Sequence, residues 1–324
     1  MKIGVLGAAR IAPAALLRPA RLVDDVEVTA VAARDRGRAE GFATRHVVPT
    51  VHDSYADLLA DPSLDAVYIP LPNGLHARWT LAAIEAGKHV LCEKPFTANA
   101  AQAREVAAAA DKSGLVVMEA FHYRYHPLAR RMAEIVHSGE LGRIRRVSTA
   151  MCFPLPRFGD IRYDYDLAGG ALMDAGCYAV HCLRLLSPGE PGVTSATART
   201  LRRDRRIDRA MTARFALPDG AIGEVRTSMW SATLLRIRAE VVGELGTLRV
   251  TNFVAPQFFS RFTAVVDGRR RRERFTGEAS YTHQLRAFAA AVRGEPANLT
   301  PPADSVATMA LIDDIYAAAG LPLR

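Results

Sequence analysis

The sequence predicts an α/β chain, with a doubly wound parallel sheet on its N-terminal side and then an α+β domain built on an open, mainly antiparallel sheet. Three observations predict it. Short apolar β-type runs alternate with Ala/Leu-rich helical stretches over residues 1–120, the grammar changes after Phe121, and from Val193 onward strand-like runs follow one another on short turns.

The first strand-like runs are residues 3–6, 26–33, 66–70, 89–92 and 116–120. Between them lie stretches of helical periodicity such as 79–86 and 100–112, each closed by a glycine, Gly87 or Gly114, suited to a helix end. This alternation is that of a Rossmann-like domain of six strands with crossover helices. Beyond Phe121 come a helix at 128–137, a strand at 144–152, a Pro- and Arg-rich loop and a helix over 170–186. Strands then follow at 211–217, 221–230, 237–242 and 247–252, joined by turn signals such as Pro218-Asp219-Gly220, so they must pair mainly antiparallel. Helices at 282–292 and 304–319 close the chain. The expected division is a Rossmann-like domain at 1–121, with the C-terminal helix 303–320 packing back on it, and an α+β domain at 122–302. A sheet with one helical layer leaves its other face seeking cover, so that open face is expected to make a homodimer or homotetramer.

A chain of 324 residues fits about two domains of ordinary size. No apolar stretch reaches the roughly 20 residues of a membrane span, and the start MKIGVLG lacks the layout of a secretion signal, so a cytoplasmic protein is expected. Cys92, Cys152, Cys177 and Cys182 show no CxxC spacing and no disulfide framework, and read as buried, reduced thiols. The net charge of +8 is concentrated in two runs, residues 202–206 (RRDRR) and 269–274 (RRRRER), without interleaved aromatics. They read as solvated hairpin tips rather than a nucleic-acid surface.

Chemistry enters at the strand ends. The run Ile3-Gly4-Val5-Leu6-Gly7-Ala8-Ala9-Arg10-Ile11-Ala12 sits where a dinucleotide fingerprint belongs, and an ordinary strand-turn-helix accounts for it as well, because Ala9 and Ala12 stand where glycines are usual. At the end of the second strand Ala33 occupies the ribose-binding acidic position. Arg34, with Arg38, can pair there with a 2′-phosphate, so NADP is expected over NAD; Asp35 remains open as a displaced acid, and both arginines could be solvated helix-start charges. Pro70-Leu71-Pro72-Asn73-Gly74-Leu75-His76 and Gly87-Lys88-His89-Val90-Leu91-Cys92-Glu93-Lys94-Pro95 both leave carboxyl ends of parallel strands, where ligands bind in open α/β sheets. Lys94, held before a proline, cannot continue into helix and reads as a reagent.

In the second half Asp174, Tyr178 and His181 stand at i, i+4 and i+7, on one stripe of a helix. A tyrosine with a pKa near ~10 is a poor base at neutral pH, but a nearby lysine ammonium favours its phenolate. Asp174 reads equally as a helix-capping or ion-paired group, and His181 as a core histidine. Arg124 and Arg162, loop arginines among aromatics, suit vicinal hydroxyls or serve as loop braces. His122 and His126 have helical spacing, but flanking arginines and the lack of a third ligand speak against a metal.

Taken together, G-x-x-G-A-A-R-I-A, P-N-x-x-H, A-G-K-H-V-L-C-E-K-P and the later Gly169-Gly170-Ala171-Leu172-Met173-Asp174-Ala175-Gly176-Cys177-Tyr178 make the chain resemble the Gfo/Idh/MocA oxidoreductase family over nearly its whole length. The resemblance implies a Rossmann domain followed by an open-sheet domain, with Lys94 beside the nicotinamide. Gly7, Ala8, Ala9, Arg10, Ile11, Leu71, Pro72, Asn73, His76 and Glu93 would line the cofactor site. Many members end the last motif with histidine; Tyr178 here implies a tyrosine acid/base working with Lys94, and Asp174 orienting the pair or a substrate hydroxyl. Hydride transfer between nicotinamide C4 and a secondary alcohol or carbonyl of a sugar, cyclitol or dihydrodiol follows. A non-catalytic NADP-binding regulator and an enzyme with a tightly bound, internally recycled cofactor are the alternatives left open.

Overall fold

The computed structural model describes residues 1–324. Its first sheet opens with β1 (Lys2–Leu6), whose last four residues are all buried, as befits a central parallel strand covered on both faces. A π-helical turn at Pro13–Leu17 runs into α1 (Arg18–Ala20) and then β2 (Glu27–Ala32), α2 (Arg36–His46), β3 (Thr50–His52) and α3 (Tyr55–Ala60). The pattern continues with β4 (Ala66–Ile69), α4 (His76–Glu85), β5 (His89–Cys92), α5 (Ala100–Ser113) and β6 (Val117–Glu119).

The side chains of Asp35, Ser54 and Asn99 each accept a backbone N–H at the start of α2, α3 and α5, which is why these helices begin where they do. All six strands are parallel, in the order β3-β2-β1-β4-β5-β6. The order reverses between β1 and β4, and that switch point is where an open α/β sheet receives a ligand. The strand not among the five expected runs is β3; three residues are too short to show a periodicity.

The second body contains α6 (Pro127–His137), β7 (Ile144–Cys152), α7 (Cys177–Leu186), β8 (Gly192–Thr200), β9 (Asp208–Ala216) and β10 (Ile222–Ser228). It goes on through β11 (Arg236–Gly243), β12 (Gly246–Thr251), β13 (Arg261–Val266) and β14 (Arg269–Glu273). These eight strands form one sheet, β14-β13-β12-β11-β7-β10-β9-β8, antiparallel except for the parallel pair β10 and β7. Helices α6 and α7 lie along one face, where Thr149 donates to the Ala179 carbonyl at 2.7 Å. Ion pairs of Arg226 with Glu224, and of Arg238 and Arg249 with Glu240, stud strands β10, β11 and β12.

Of the two arginine runs, residues 202–206 do form the tip between β8 and β9. The run from Arg269 does not: it is the outermost strand β14, where a row of charges keeps an open sheet edge from pairing with another chain. All four cysteines are free and buried.

The closing helices are α8 (Ser280–Val292) and α9 (Pro302–Ala318). The chain divides into two units, Met1–Tyr125 with Glu278–Val306, and His126–Gly277 with Ala307–Arg324. This differs from the expected boundaries. Leu285 and Phe288 of α8 share a core with Ile3, Val31, Tyr68 and Leu91, so α8 belongs to the first unit. Most of α9 belongs instead to the second, because Tyr316 and Arg324 are bonded to Asp208, and Thr308 to Arg184.

Candidate active site

In the first unit, the site forms at the carboxyl ends of β1, β2, β4 and β5. Gly7 follows β1 with φ +116°, a conformation L side chains rarely adopt, and its N–H donates to the Ala32 carbonyl at 2.8 Å. A Cβ at Gly7 would meet Leu71 Cδ2 at 2.9 Å, so the turn is open only because this residue is glycine. Ala8 and Ala9 are half-buried, while Arg10 and Ile11 are exposed beside the turn. The Gly7 and Ala9 N–H groups are spent within the chain, on the Ala32 and Gly7 carbonyls, and the turn stands between the end of β1 and the helical stretch that begins at Pro13, where dinucleotide folds receive a pyrophosphate.

At the end of β2, Ala33 is buried and Arg34 and Arg38 are exposed. Asp35, left open as a displaced ribose acid, is engaged as the α2 cap: its Oδ1 accepts the Arg38 N–H at 2.8 Å. Tyr55 was not singled out in the sequence. Burial pushes its phenol up, against the Arg34 backbone and the charges of Arg34 and Arg38, and its ring meets Trp79 edge-on at 4.8 Å. No local motif signals Tyr55.

The two strongest motifs meet through one residue. His76 is fully buried; its Nδ1 lies 2.7 Å from the Pro95 carbonyl and its Nε2 2.7 Å from the Leu71 carbonyl. The ring therefore sits between the segment after β4, with Leu71, Pro72 and Asn73, and the segment after β5, with Glu93, Lys94 and Pro95, and as a neutral imidazole it donates to one of the two carbonyls. Its part is to hold backbone rather than to present a face to solvent. Burial pushes the imidazole down, the carbonyls of Pro95 and Leu71 push it up, and the charge of Lys94 adds to the downward side, for a net lowering. Glu93 accepts from Tyr68 at 2.7 Å on one oxygen and from the Lys94 N–H at 3.3 Å on the other, fixing the backbone that carries the Lys94 amine. Arg124 is half-buried in the 3-10 turn His122–Tyr125.

In the second unit, Gly169 and Gly170 lead into a π-helical turn, Leu172–Gly176, which continues as α7. The expected continuous α-helix is thus widened by a π turn, and Asp174 leaves the strict α stripe of Tyr178 and His181. Its start is anchored from other strands: Leu172 N–H donates to Asp208 at 2.7 Å and Thr227 Oγ1 donates to the Ala171 carbonyl at 3.0 Å. A Cβ on Gly176 would sit 3.1 Å from Thr227 Cγ2.

Asp174 accepts from Arg162 Nε at 3.1 Å, and the same guanidinium donates to Asp160 at 3.1 Å. Two residues singled out separately are thereby one pair, with Asp160 the partner the sequence reading missed. Its position two residues before Arg162 is a weak signal of a local turn. Burial works against the Arg162 charge, and the carboxylates of Asp174 and Asp160 overcome it, raising its pKa. The same burial and carboxylates push Tyr163 up to about 12, keeping that phenol neutral. Tyr178 and His181 lie buried on α7.

His122 Nδ1 lies 2.8 Å from Ser280 Oγ, and His126 Nδ1 accepts the Leu128 N–H at 3.1 Å as the cap of α6. No group of three or more His, Cys, Asp or Glu is placed to hold a metal ion. No helix is long and apolar enough to cross a membrane.

Residues 1–121 match the model described as "Oxidoreductase family, NAD-binding Rossmann fold" of Gfo/Idh/MocA proteins, and residues 129–249 match that family's C-terminal domain. The chain belongs to the Gfo/Idh/MocA oxidoreductase family. It is 42% identical over 321 residues to D-xylose 1-dehydrogenase (NADP(+)) 2 of Haloferax volcanii, covering 98% of this chain and 97% of that one. It is 34% identical to dTDP-3,4-didehydro-2,6-dideoxy-alpha-D-glucose 3-reductase of Streptomyces antibioticus, covering 98% and 97%. A solved 3-ketoreductase from Actinomadura kijaniata, in complex with NADP and TDP-benzene, matches with a TM-score of 0.89 at 30% identity, covering 98% and 97%. As a Gfo/Idh/MocA protein this chain is an enzyme, an oxidoreductase built on a nicotinamide-dinucleotide fold, which sets aside the non-catalytic regulator.

Proposed function

We propose that this oxidoreductase moves a hydride between NADP(H) and a secondary alcohol or carbonyl of a small sugar. Full-length likeness to a D-xylose dehydrogenase and to two sugar ketoreductases supports the substrate class. Ala33 in place of an acid, with Arg34 and Arg38 exposed after it, supports NADP over NAD. The observation that carries the reading is the meeting of the segment after β4 with the Lys94–Pro95 segment after β5 around the buried His76 ring, whose nitrogens lie 2.7 Å from a carbonyl of each.

The turn at Gly7, which a Cβ would fill, fits the dinucleotide. Gly7, Ala8, Ala9, Arg10 and Ile11 would hold the pyrophosphate, Arg34 and Arg38 the 2′-phosphate, and Leu71, Pro72 and Asn73 the wall on which it rests, with the buried His76 and Glu93 behind that wall holding the backbone of the two segments. Bound there, the cofactor supplies a hydride donor or acceptor at nicotinamide C4. The chain's own work is proton handling. In reduction, the Tyr178 phenol gives its proton to the substrate oxygen, while the Lys94 ammonium stabilises the charge on oxygen and phenolate; oxidation runs the same proton back. Asp174 and Arg162 hold neighbouring hydroxyls, with His181 and Arg124 completing recognition.

Lys94→Met and Tyr178→Phe test the reading with NADPH absorbance on a panel of aldoses. Both variants keep NADPH affinity within about twofold and lose about 10²- to 10⁴-fold in kcat. Full turnover in either variant overturns it.

We also assign self-association to the open sheet face. Its Arg226, Arg238 and Arg249 alternate with Glu224 and Glu240, a charge pattern that a twofold axis can make self-complementary. Light scattering on Glu240→Arg, expected to give monomers, checks this; an unchanged assembly refutes it. Four free, buried thiols suit a reducing compartment such as the cytoplasm; fractionation of producing cells tests that placement.

A further inference from the structure

Behind the glycine-led turn of the second unit lies a buried polar cluster drawn from three distant stretches of chain. The Arg324 and Asp208 side chains are both 0% exposed, with Arg324 NH2 2.9 Å from Asp208 Oδ1. The same oxygen accepts the Tyr316 hydroxyl at 2.9 Å, and Asp208 Oδ2 accepts the Leu172 N–H at 2.7 Å. Arg324 Nε donates to the Gly169 carbonyl at 2.8 Å. Its guanidinium lies over the rings of Tyr316 at 4.1 Å and Tyr165 at 5.1 Å from their centroids.

The glycines themselves show how tightly this cluster encloses the turn. A Cβ at Gly170 would come within 2.2 Å of Asp208 Oδ1, 2.9 Å of the Tyr316 hydroxyl and 3.0 Å of Arg324 NH2, at a φ of +135°. A Cβ at Gly169 would meet the carbonyls of Asp164 at 2.6 Å and Arg162 at 2.7 Å.

From the turn, two connections run to residues of the proposed site. Gly170 N–H donates to the Arg162 carbonyl at 2.9 Å, and the Arg162 guanidinium reaches Asp174 at 3.1 Å. Asp174 N–H in turn donates to the Gly170 carbonyl at 3.0 Å. A buried ion pair adds little net stability compared with apolar packing, because two charges must be stripped of water. Its value at this place is directional, since a planar guanidinium can bond one carbonyl and one carboxylate at fixed angles while stacked on aromatic rings.

We propose that Arg324 is a positioning residue for the substrate side of the enzyme: it fixes the Gly169–Gly170 turn, and through it the Arg162–Asp174 pair and the start of the helix carrying Tyr178. This rests on the reading that Asp174, Arg162 and Tyr178 serve the substrate. The residue touches neither substrate nor cofactor, so removing it leaves the first unit's nucleotide affinity alone and loosens sugar recognition.

The experiment uses the full chain as Arg324→Met, Arg324→Lys and the double variant Asp208→Asn/Arg324→Met. The double variant removes both charges and so avoids stranding a buried carboxylate, which keeps the test alive if the single variant fails to fold. NADPH affinity, sugar KM and kcat are measured together with amide exchange of peptides covering 160–176. We expect NADPH affinity within about twofold of wild type, sugar kcat/KM down about tenfold to a hundredfold, mostly in KM, and faster exchange confined to that peptide. Lysine, which keeps the charge but not the fork, restores only part of the loss. The proposal is overturned if the folded double variant keeps wild-type sugar KM and wild-type exchange in 160–176, or if exchange rises throughout the second unit. Asp174→Asn and Tyr178→Phe serve as controls: if these retain wild-type sugar kinetics, it is the functional assignment of the helix that fails, whereas their loss of activity beside an unaffected double variant sinks the role of Arg324 alone.

Discussion

Replacing His76 with alanine separates the bridge from the reagent it holds. The imidazole is fully buried between the Leu71 and Pro95 carbonyls, 2.7 Å from each. A neutral ring carries one N–H, so the substitution strands at least one buried carbonyl, at about 1–3 kcal/mol, and opens a cavity besides; a total loss of about 2–5 kcal/mol follows. The direction of its pKa adds a second signature. Burial, with the charge of Lys94, wins over the two carbonyls, so the folded state holds this ring neutral at a pKa below its ordinary value. An unfolded histidine takes up a proton below about pH 6.5, so this group's contribution to stability is lost as pH falls through that value, with a slope of at most ~1.4 kcal/mol per pH unit. The alanine variant lacks that proton uptake, and its deficit relative to wild type is therefore largest at about pH 7.5 and shrinks toward about pH 5.5.

Urea unfolding followed by Trp79 fluorescence in a Trp230→Phe background reads the first unit, where His76 lies. Turnover with an aldose, measured alongside, is expected to fall about a hundredfold as Lys94 loses its fixed backbone. A deficit that does not change between the two pH values, or a variant with unaltered kcat, refutes the account of this histidine as a neutral ring packed between the two segments.

Two further outcomes follow from the same geometry. Gly170→Ala forces a Cβ to within 2.2 Å of the Asp208 carboxylate at positive φ, so it is expected to lower stability by about 3 kcal/mol or more and to raise sugar KM, with chemical unfolding and initial rates as the measurements; wild-type stability contradicts the enclosure. Arg34→Ala is expected to weaken NADP(H) by about 1–2 kcal/mol while leaving NAD(H) almost unchanged, read as the ratio of kcat/KM for the two cofactors; an equal loss for both places the arginine elsewhere than at the 2′-phosphate.

What could be read from the sequence is what repeats locally or sits at a fixed spacing. The parallel sheet announced itself because buried strands such as β4 and β5 are short unbroken apolar runs between amphipathic helices, and Gly7, Asn73, His76 and Lys94 lie within a few residues of a strand end. Strand β3 escaped because three residues carry no period. The arginine run at 269–273 was misplaced because its charges mark an edge strand as readily as a turn. The π turn escaped for a different reason: the sequence offers Asp174, Tyr178 and His181 at α spacing, and the groups that hold the start of this turn, Asp208 and Thr227, come from other strands.

Gly170 makes the general point about the second motif. Read locally, two adjacent glycines before a helix mean a sharp entry and nothing more. In the folded chain the second of them is demanded by a carboxylate bonded to Leu172 from 36 residues away, and the first offers its carbonyl to an arginine 155 residues away. Neither partner has a spacing that could betray it, since Asp208 begins an ordinary strand and Arg324 follows an ordinary helix. A glycine constrained by its neighbours is thus a record of residues outside the motif. If such residues determine how Asp174 and Arg162 are held, then sugar preference among relatives that share every motif residue is expected to follow changes in this buried cluster. Exchanging Arg324, Tyr316 and Asp208 together, rather than the motif, is the substitution that should move it.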